Sequence, residues 1–242
     1  MAVMRFDISQ GGLAMHFRSN LVRAIAGLAI GALGVRSASA APITYAVTVD
    51  TSAVTGQSGW IDIQFNPGGL DTQSAVITIT NFATDASLFA ASVQLMGGAS
   101  GLLPGTVTIT NSSGFNDYFE SLTFGTSITF QLSFDGPALA APNGTALSSS
   151  TFALAFYDSS ITTALLTTDP NGMAGLIDVN LDGTTTPTTF PVAVGGLPAV
   201  TFTPIAAIVE PPSLPLLLAG LLGLLAVAGS RRIVRQRSRS TA

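Results

Sequence analysis

Ile128-Thr129-Phe130-Gln131-Leu132-Ser133-Phe134 places an apolar residue at every second position, with a hydroxyl or an amide between each. Successive side chains leave a strand on opposite sides, so period two marks a strand with one face buried and the other in water. The alternation recurs in Ile43-Tyr45-Val47-Val49, Ile61-Ile63-Phe65, Ile77-Ile79 and Phe152-Leu154-Phe156. Residues 87–95, 107–111, 118–124, 176–181, 190–194 and 199–203 are further candidate strands, and 87–95 also reads as helix. Turn-forming runs divide these segments: Asn66-Pro67-Gly68-Gly69, Gly97-Gly98, Asp135-Gly136-Pro137, Pro142-Asn143-Gly144, Asp169-Pro170-Asn171-Gly172 and Asp182-Gly183. The pattern predicts an all-β fold, an antiparallel β-sandwich or jelly roll of about ten strands.

Between Arg36 and Arg231 there is no lysine, arginine, histidine or cysteine. Residues 41–209 carry Asp50, Asp62, Asp71, Asp85, Asp117, Glu120, Asp135, Asp158, Asp169, Asp178 and Asp182, a charge near −11 inside a chain whose total is −4. Such a domain repels nucleic acid and anionic lipid, and it has no internal ion pairs to draw on. A Ser-His-Asp or Cys-His site needs an imidazole, common zinc sites need His or Cys, and phosphoryl transfer needs a cation on the phosphates. None of these side chains is present in that stretch, nor is any disulfide.

Carboxylate chemistry is what remains. Asp117 and Glu120 form the closest acidic pair, but residues three apart on a strand face opposite sides, so the expectation is two solvated surface acids and no enzymatic activity. Trp60, Tyr118 and Tyr157 are candidate sugar platforms. Trp60 lies on the strand face opposite Ile61 and reads as half of a two-sided core. Asp178-Val179-Asn180-Leu181-Asp182-Gly183 matches the first half of a calcium loop, with Asp178, Asn180 and Asp182 as its ligands, yet the twelfth position falls on Thr189 instead of a bidentate acid. A hairpin accounts for it as well, with Ile177, Val179 and Leu181 inward and the polar residues outward. Residues 184–189, rich in Thr, read as a polar loop, and no cofactor is expected beyond weak calcium.

The two ends of the chain read as addresses. Arg18 and Arg23 precede an apolar run at 24–35, and Ala38-Ser39-Ala40 supplies the small residues that a signal peptidase needs to leave Ala41 as the mature N-terminus. Residues 1–40 are thus a predicted signal peptide for the Sec translocon, with Met15 as an alternative start. At the other end Val209-Glu210-Pro211-Pro212-Ser213 precedes an uncharged apolar run at 214–229, then Arg231, Arg232, Arg235, Arg237 and Arg239. Sixteen residues rising ~1.5 Å each reach roughly 24 Å, against a hydrocarbon core of about 30 Å, a short membrane span. Arginines directly behind it stay cytoplasmic and leave the bulk of the chain outside.

The tail at 209–242 resembles the PEP-CTERM sorting signal of Gram-negative bacteria, which implies processing by an exosortase-type membrane protease after transient anchoring in the inner membrane. The family box usually reads Val-Pro-Glu-Pro; here Glu210 comes before Pro211 and Pro212, which leaves the cleavage bond open. Residues 44–52, Phe65-Asn66-Pro67-Gly68-Gly69, Phe115-Asn116-Asp117-Tyr118-Phe119 and Leu165-Leu166-Thr167-Thr168-Asp169-Pro170 resemble a family of PEP-CTERM ectodomains with no assigned activity. The strand pattern sets a β-sandwich ectodomain at 41–190 with last strands and a linker at 191–208, and the resemblance implies a role at the cell surface or in an exopolysaccharide matrix. A carbohydrate-binding or calcium-dependent adhesive module is the alternative. An ice-binding protein is a further one, although Thr78/Thr80 and Thr106/Thr108/Thr110 are short arrays without the repeat register of a flat solenoid face.

Overall fold

The computed structural model describes residues 41–69, 71–144, 149–206 and 220–221. The predicted signal peptide and the box at 209–213 fall outside these, as does the predicted membrane helix apart from Gly220 and Leu221. Among the described residues no helix is long and apolar enough to cross a membrane.

Thirteen strands occur among the described residues. They begin β1 (Ile43–Asp50), β2 (Ser58–Pro67), β3 (Val76–Thr84), β4 (Ser87–Leu88), β5 (Gln94–Met96) and β6 (Gly98–Gly101). Next come β7 (Val107–Thr110), β8 (Asp117–Thr123) and β9 (Ser127–Asp135), a single-turn helix α1 (Pro137–Ala140), and β10 (Ser150–Asp158). The last are β11 (Met173–Val179), β12 (Thr185–Thr189) and β13 (Val200–Ile205). They form two antiparallel sheets, one ordered β13-β1-β9-β3-β7-β6 and the other β12-β11-β10-β2-β8-β4, with β5 also on β8. The all-β expectation therefore holds as two antiparallel sheets sharing one core.

That core is built from the alternating residues. Val47 and Val49 of β1, Ile77 and Ile79 of β3, and Ile128, Leu132 and Phe134 of β9 face Ile61, Ile63 and Phe65 of β2 and Phe152, Leu154 and Phe156 of β10, all buried. Phe134 lies at the centre of it. Its ring meets Tyr45, Phe65 and Phe152 at centroid distances of 6.2, 6.1 and 6.3 Å, each edge to face, the arrangement that ring quadrupoles favour. A hydrogen bond of 2.8 Å between the Tyr45 hydroxyl and Thr185 Oγ1 ties β1 to β12 across the sheets.

Four expectations need correction. Residues 87–95 are neither one strand nor a helix: β4 spans two residues, and a 3-10 turn at Ala90–Ser92 leads into β5. Residues 190–194 form no strand, and the Thr-rich segment expected as a loop is the edge strand β12 instead. The turn that begins at Asn180 fixes its register against β11, and Pro187 is tolerated because an edge strand leaves half of its backbone groups unpaired. Leu181, expected inward, is exposed because the strand ends at Val179. The sandwich also takes in Val200–Ile205, which pairs along most of β1.

Candidate functional site

The site begins on the water-facing side of β2, where Trp60, Asp62, Gln64 and Asn66 alternate with the core residues. Their side chains form a chain of hydrogen bonds running one way. The Asn116 backbone N–H donates to Asn66 Oδ1 at 2.7 Å, Asn66 Nδ2 donates to Gln64 Oε1 at 3.0 Å, and Gln64 Nε2 donates to Asp62 Oδ2 at 2.8 Å. Every donor points toward the carboxyl, so each bond polarises the next and favours negative charge on Asp62.

The chain ends beside Asp117, at the start of the neighbouring strand β8. The carboxyls of Asp62 and Asp117 lie close enough to perturb each other, and Oδ1 of each is buried without a hydrogen-bond partner among the described residues. Two neighbouring carboxylates repel each other when both are charged, which favours one retained proton. Burial pushes both groups up, leaving Asp62 and Asp117 5% and 6% exposed. For Asp117 burial and then the neighbouring Asp62 raise the pKa to about 8, whereas the bond from Gln64 pulls Asp62 back down. Asp117 is thus the carboxyl that holds its proton toward neutral pH, and the bond donated by Gln64 favours charge on Asp62.

Aromatic rings stand beside the pair. Phe119 stands opposite Asp62 and stacks on Trp60 with centroids 4.7 Å apart and planes 6° from parallel. Tyr157, on β10, reaches to 6.4 Å from Phe119. Strands β8 and β10 flank β2 and are thus about 9.6 Å apart, so the two rings lean toward each other over β2. Burial, then the charges of Asp62 and Asp117, raise the Tyr157 hydroxyl pKa.

The sequence candidates are distributed differently from expectation. Asp117 and Glu120 do point to opposite sides of β8, but neither is a solvated surface acid. Glu120 is wholly buried in the core, where burial raises its pKa and the Tyr118 hydroxyl donates to Oε2 at 2.5 Å. The Tyr118 oxygen in turn accepts from the Leu103 N–H at 3.0 Å. Tyr118 is therefore a core residue and no sugar platform, because its place in the alternation is inward. Trp60 is half-buried against Phe119, on the outer side of its sheet.

Asp178, Asn180 and Asp182 lie on the β11–β12 hairpin, each with a local partner. Thr151 Oγ1 donates to Asp178 at 2.6 Å, the Asn180 amide donates to Thr184 and Thr186, and Asp182 accepts from the Thr184 N–H and hydroxyl. No group of three acidic, His or Cys side chains placed to hold a metal occurs among the described residues. Asp62, the partner that completes the acid pair, was missed by the sequence reading. Its signal was the polar ladder Asp62-Gln64-Asn66 on a strand of otherwise buried alternation.

A groove of about 700 Å³ opens at one end of the sandwich beside Val76, Thr110, Asn111 and Pro137, and no ionisable side chain lines it. Asn111 shapes its wall, donating to Gln73 O and Ser150 Oγ and accepting from the Ala75 N–H.

A general acid must reach the atom it protonates, and Asp62 and Asp117 are both buried. What the arrangement does is hold a proton where β2 meets β8. No protein-family model matches the chain, nor does any curated protein or solved structure.

Proposed function

We propose that the chain is an exported, non-enzymatic protein of the cell surface or extracellular matrix, delivered through Sec and released by an exosortase-type protease. The order of segments carries this reading: an apolar segment with an Ala-Ser-Ala site, an acidic β-sandwich without a single base, a Glu-Pro-Pro box, an apolar run and five arginines. A charge near −11 without counter-charges keeps the domain soluble and apart from anionic partners. The buried carboxyl pair gives the sandwich an acid that holds a proton in place of one that meets substrate.

Fractionation of the host, with an antibody against the sandwich, tests the reading. Recovery in the surface or extracellular polymer fraction, and loss of signal when intact cells are treated with protease, is the expected outcome. Recovery in the cytosol, protected until lysis, would overturn it. The adhesive alternative draws its support from the outer face of the β13-β1-β9-β3-β7-β6 sheet, which offers rows of hydroxyls with Asp50 and Asp135 only at its ends.

A further inference from the structure

Residues facing outward on neighbouring strands line up in rows across a sheet, and in the β13-β1-β9-β3-β7-β6 sheet these rows are hydroxyls. Thr44 is paired with Ser133, Ser133 with Thr78, Thr78 with Thr108, and Thr108 with Ser100, one level across five consecutive strands. Two residues along, Thr203 and Thr80 flank Ala46 and Gln131. One step further, Thr201, Thr48 and Thr129 lie side by side.

The backbone fixes the spacing of this field at about 4.8 Å across strands and roughly 6.7 Å along them. β-Branched threonine has few rotamers to lose on binding. Thr48, Thr78, Thr80, Thr201 and Thr203 make no side-chain hydrogen bond among the described residues, so their hydroxyls are free for a partner.

Charge selects the partner. Asp50 and Asp135 stand at the two ends of the field and no ionisable side chain lies within the rows, although the domain is acidic and without bases. An anionic polymer is repelled by that background and finds no base to pair with. A protein partner is disfavoured too, since interface cores are enriched in aromatic and large apolar residues and the rows hold a single one, Ile205, at the β13 edge beside Thr44. At the row beyond Thr78 and Thr108, the pair Val76 and Thr110 passes into the groove of about 700 Å³, with Asp135 beside Val76 at its edge, so field and groove are continuous along β3 and β7 and carry one carboxylate at their margin.

We propose that this face docks a neutral polysaccharide, its sugar hydroxyls bonding to the threonine field and the chain continuing into the groove at Val76 and Thr110. The proposal rests on the surface-protein reading and names the partner that would hold the domain in the matrix. The test is co-sedimentation of the purified full chain with microcrystalline cellulose, chitin and β-1,3-glucan, and with alginate as the anionic comparison. Retention by at least one neutral polymer and none by alginate is expected. A Thr48→Val/Thr78→Val/Thr80→Val variant, which keeps shape and strand preference, loses retention about tenfold or more. Thr78→Glu does likewise, and Thr123→Val, on the opposite sheet, does not. Unchanged melting curves show that the variants fold.

Retention by no neutral polymer, or equal retention of the triple variant, overturns the proposal. Failure to bind together with faceting of ice crystals by the native chain, lost in the triple variant, would assign the face to ice instead. Recovery from the extracellular polymer fraction without polysaccharide binding would sink the docking face and leave the surface-protein reading standing.

Discussion

Asp117 lies beside Asp62 across β8 and β2, and burial together with the neighbouring Asp62 pushes its pKa up to about 8. Both groups have folded pKa values above the ordinary carboxylate value of about 3.9. The folded state thus holds a proton that the unfolded state has released at every pH between about 4 and the value of about 8 for Asp117. Stability is full below the lower limit, falls as pH rises through that window by up to about 1.4 kcal/mol per pH unit for one retained proton, and levels off above it. Buried Glu120 acts in the same direction. Urea unfolding from pH 4 to 9 measures the slope, and Asp117→Asn, which removes the titrating proton, flattens it.

Asp85 acts in the opposite sense. The Thr126 and Ser127 N–H groups and the Thr126 hydroxyl lower its pKa to about 2. The stability from these bonds is present above pH 4 and is lost as pH falls toward 2. Asp85→Asn removes that acid-side loss and leaves the alkaline slope unchanged in the same unfolding series.

Tyr118→Phe leaves the Leu103 N–H and Glu120 Oε2 without their partner in the core. Unpaired buried polar groups cost about 1–3 kcal/mol, and the expected loss is near the upper end because two groups are orphaned. Chemical denaturation checks it, with Glu120→Gln, which keeps an acceptor for the hydroxyl, losing much less.

The strand pattern was legible because alternation records burial directly: every residue of Ile128-Phe130-Leu132-Phe134 is buried, as is each of Ile61-Ile63-Phe65. Thr185–Thr189 was not, since an edge strand with little buried surface has no apolar period and owes its existence to the turn before it. The acid pair was hidden for a different reason. Asp62 and Asp117 are 55 positions apart in the chain and meet only because β2 and β8 are neighbours, which no local pattern records. The hydroxyl rows needed register as well: Thr78 and Thr80 were visible as a short array, while Thr44, Ser133 and Ser100 joined them only through strand order.

Calcium should leave the melting temperature unchanged. Asp178, Asn180 and Asp182 each spend their polar atoms on neighbouring threonines, and an ion bound at a hundred times its Kd would add about 2.7 kcal/mol. Thermal unfolding with and without millimolar calcium decides this, and a rise abolished by Asp178→Ala would restore the calcium-dependent adhesive reading.

Export followed by release is decided by the intact mass of the mature protein recovered from the surface or medium of its host. The expected species begins at Ala41 and ends between Glu210 and Ser213. A species that still carries Arg231 to Arg239 would contradict it and make the tail a permanent anchor.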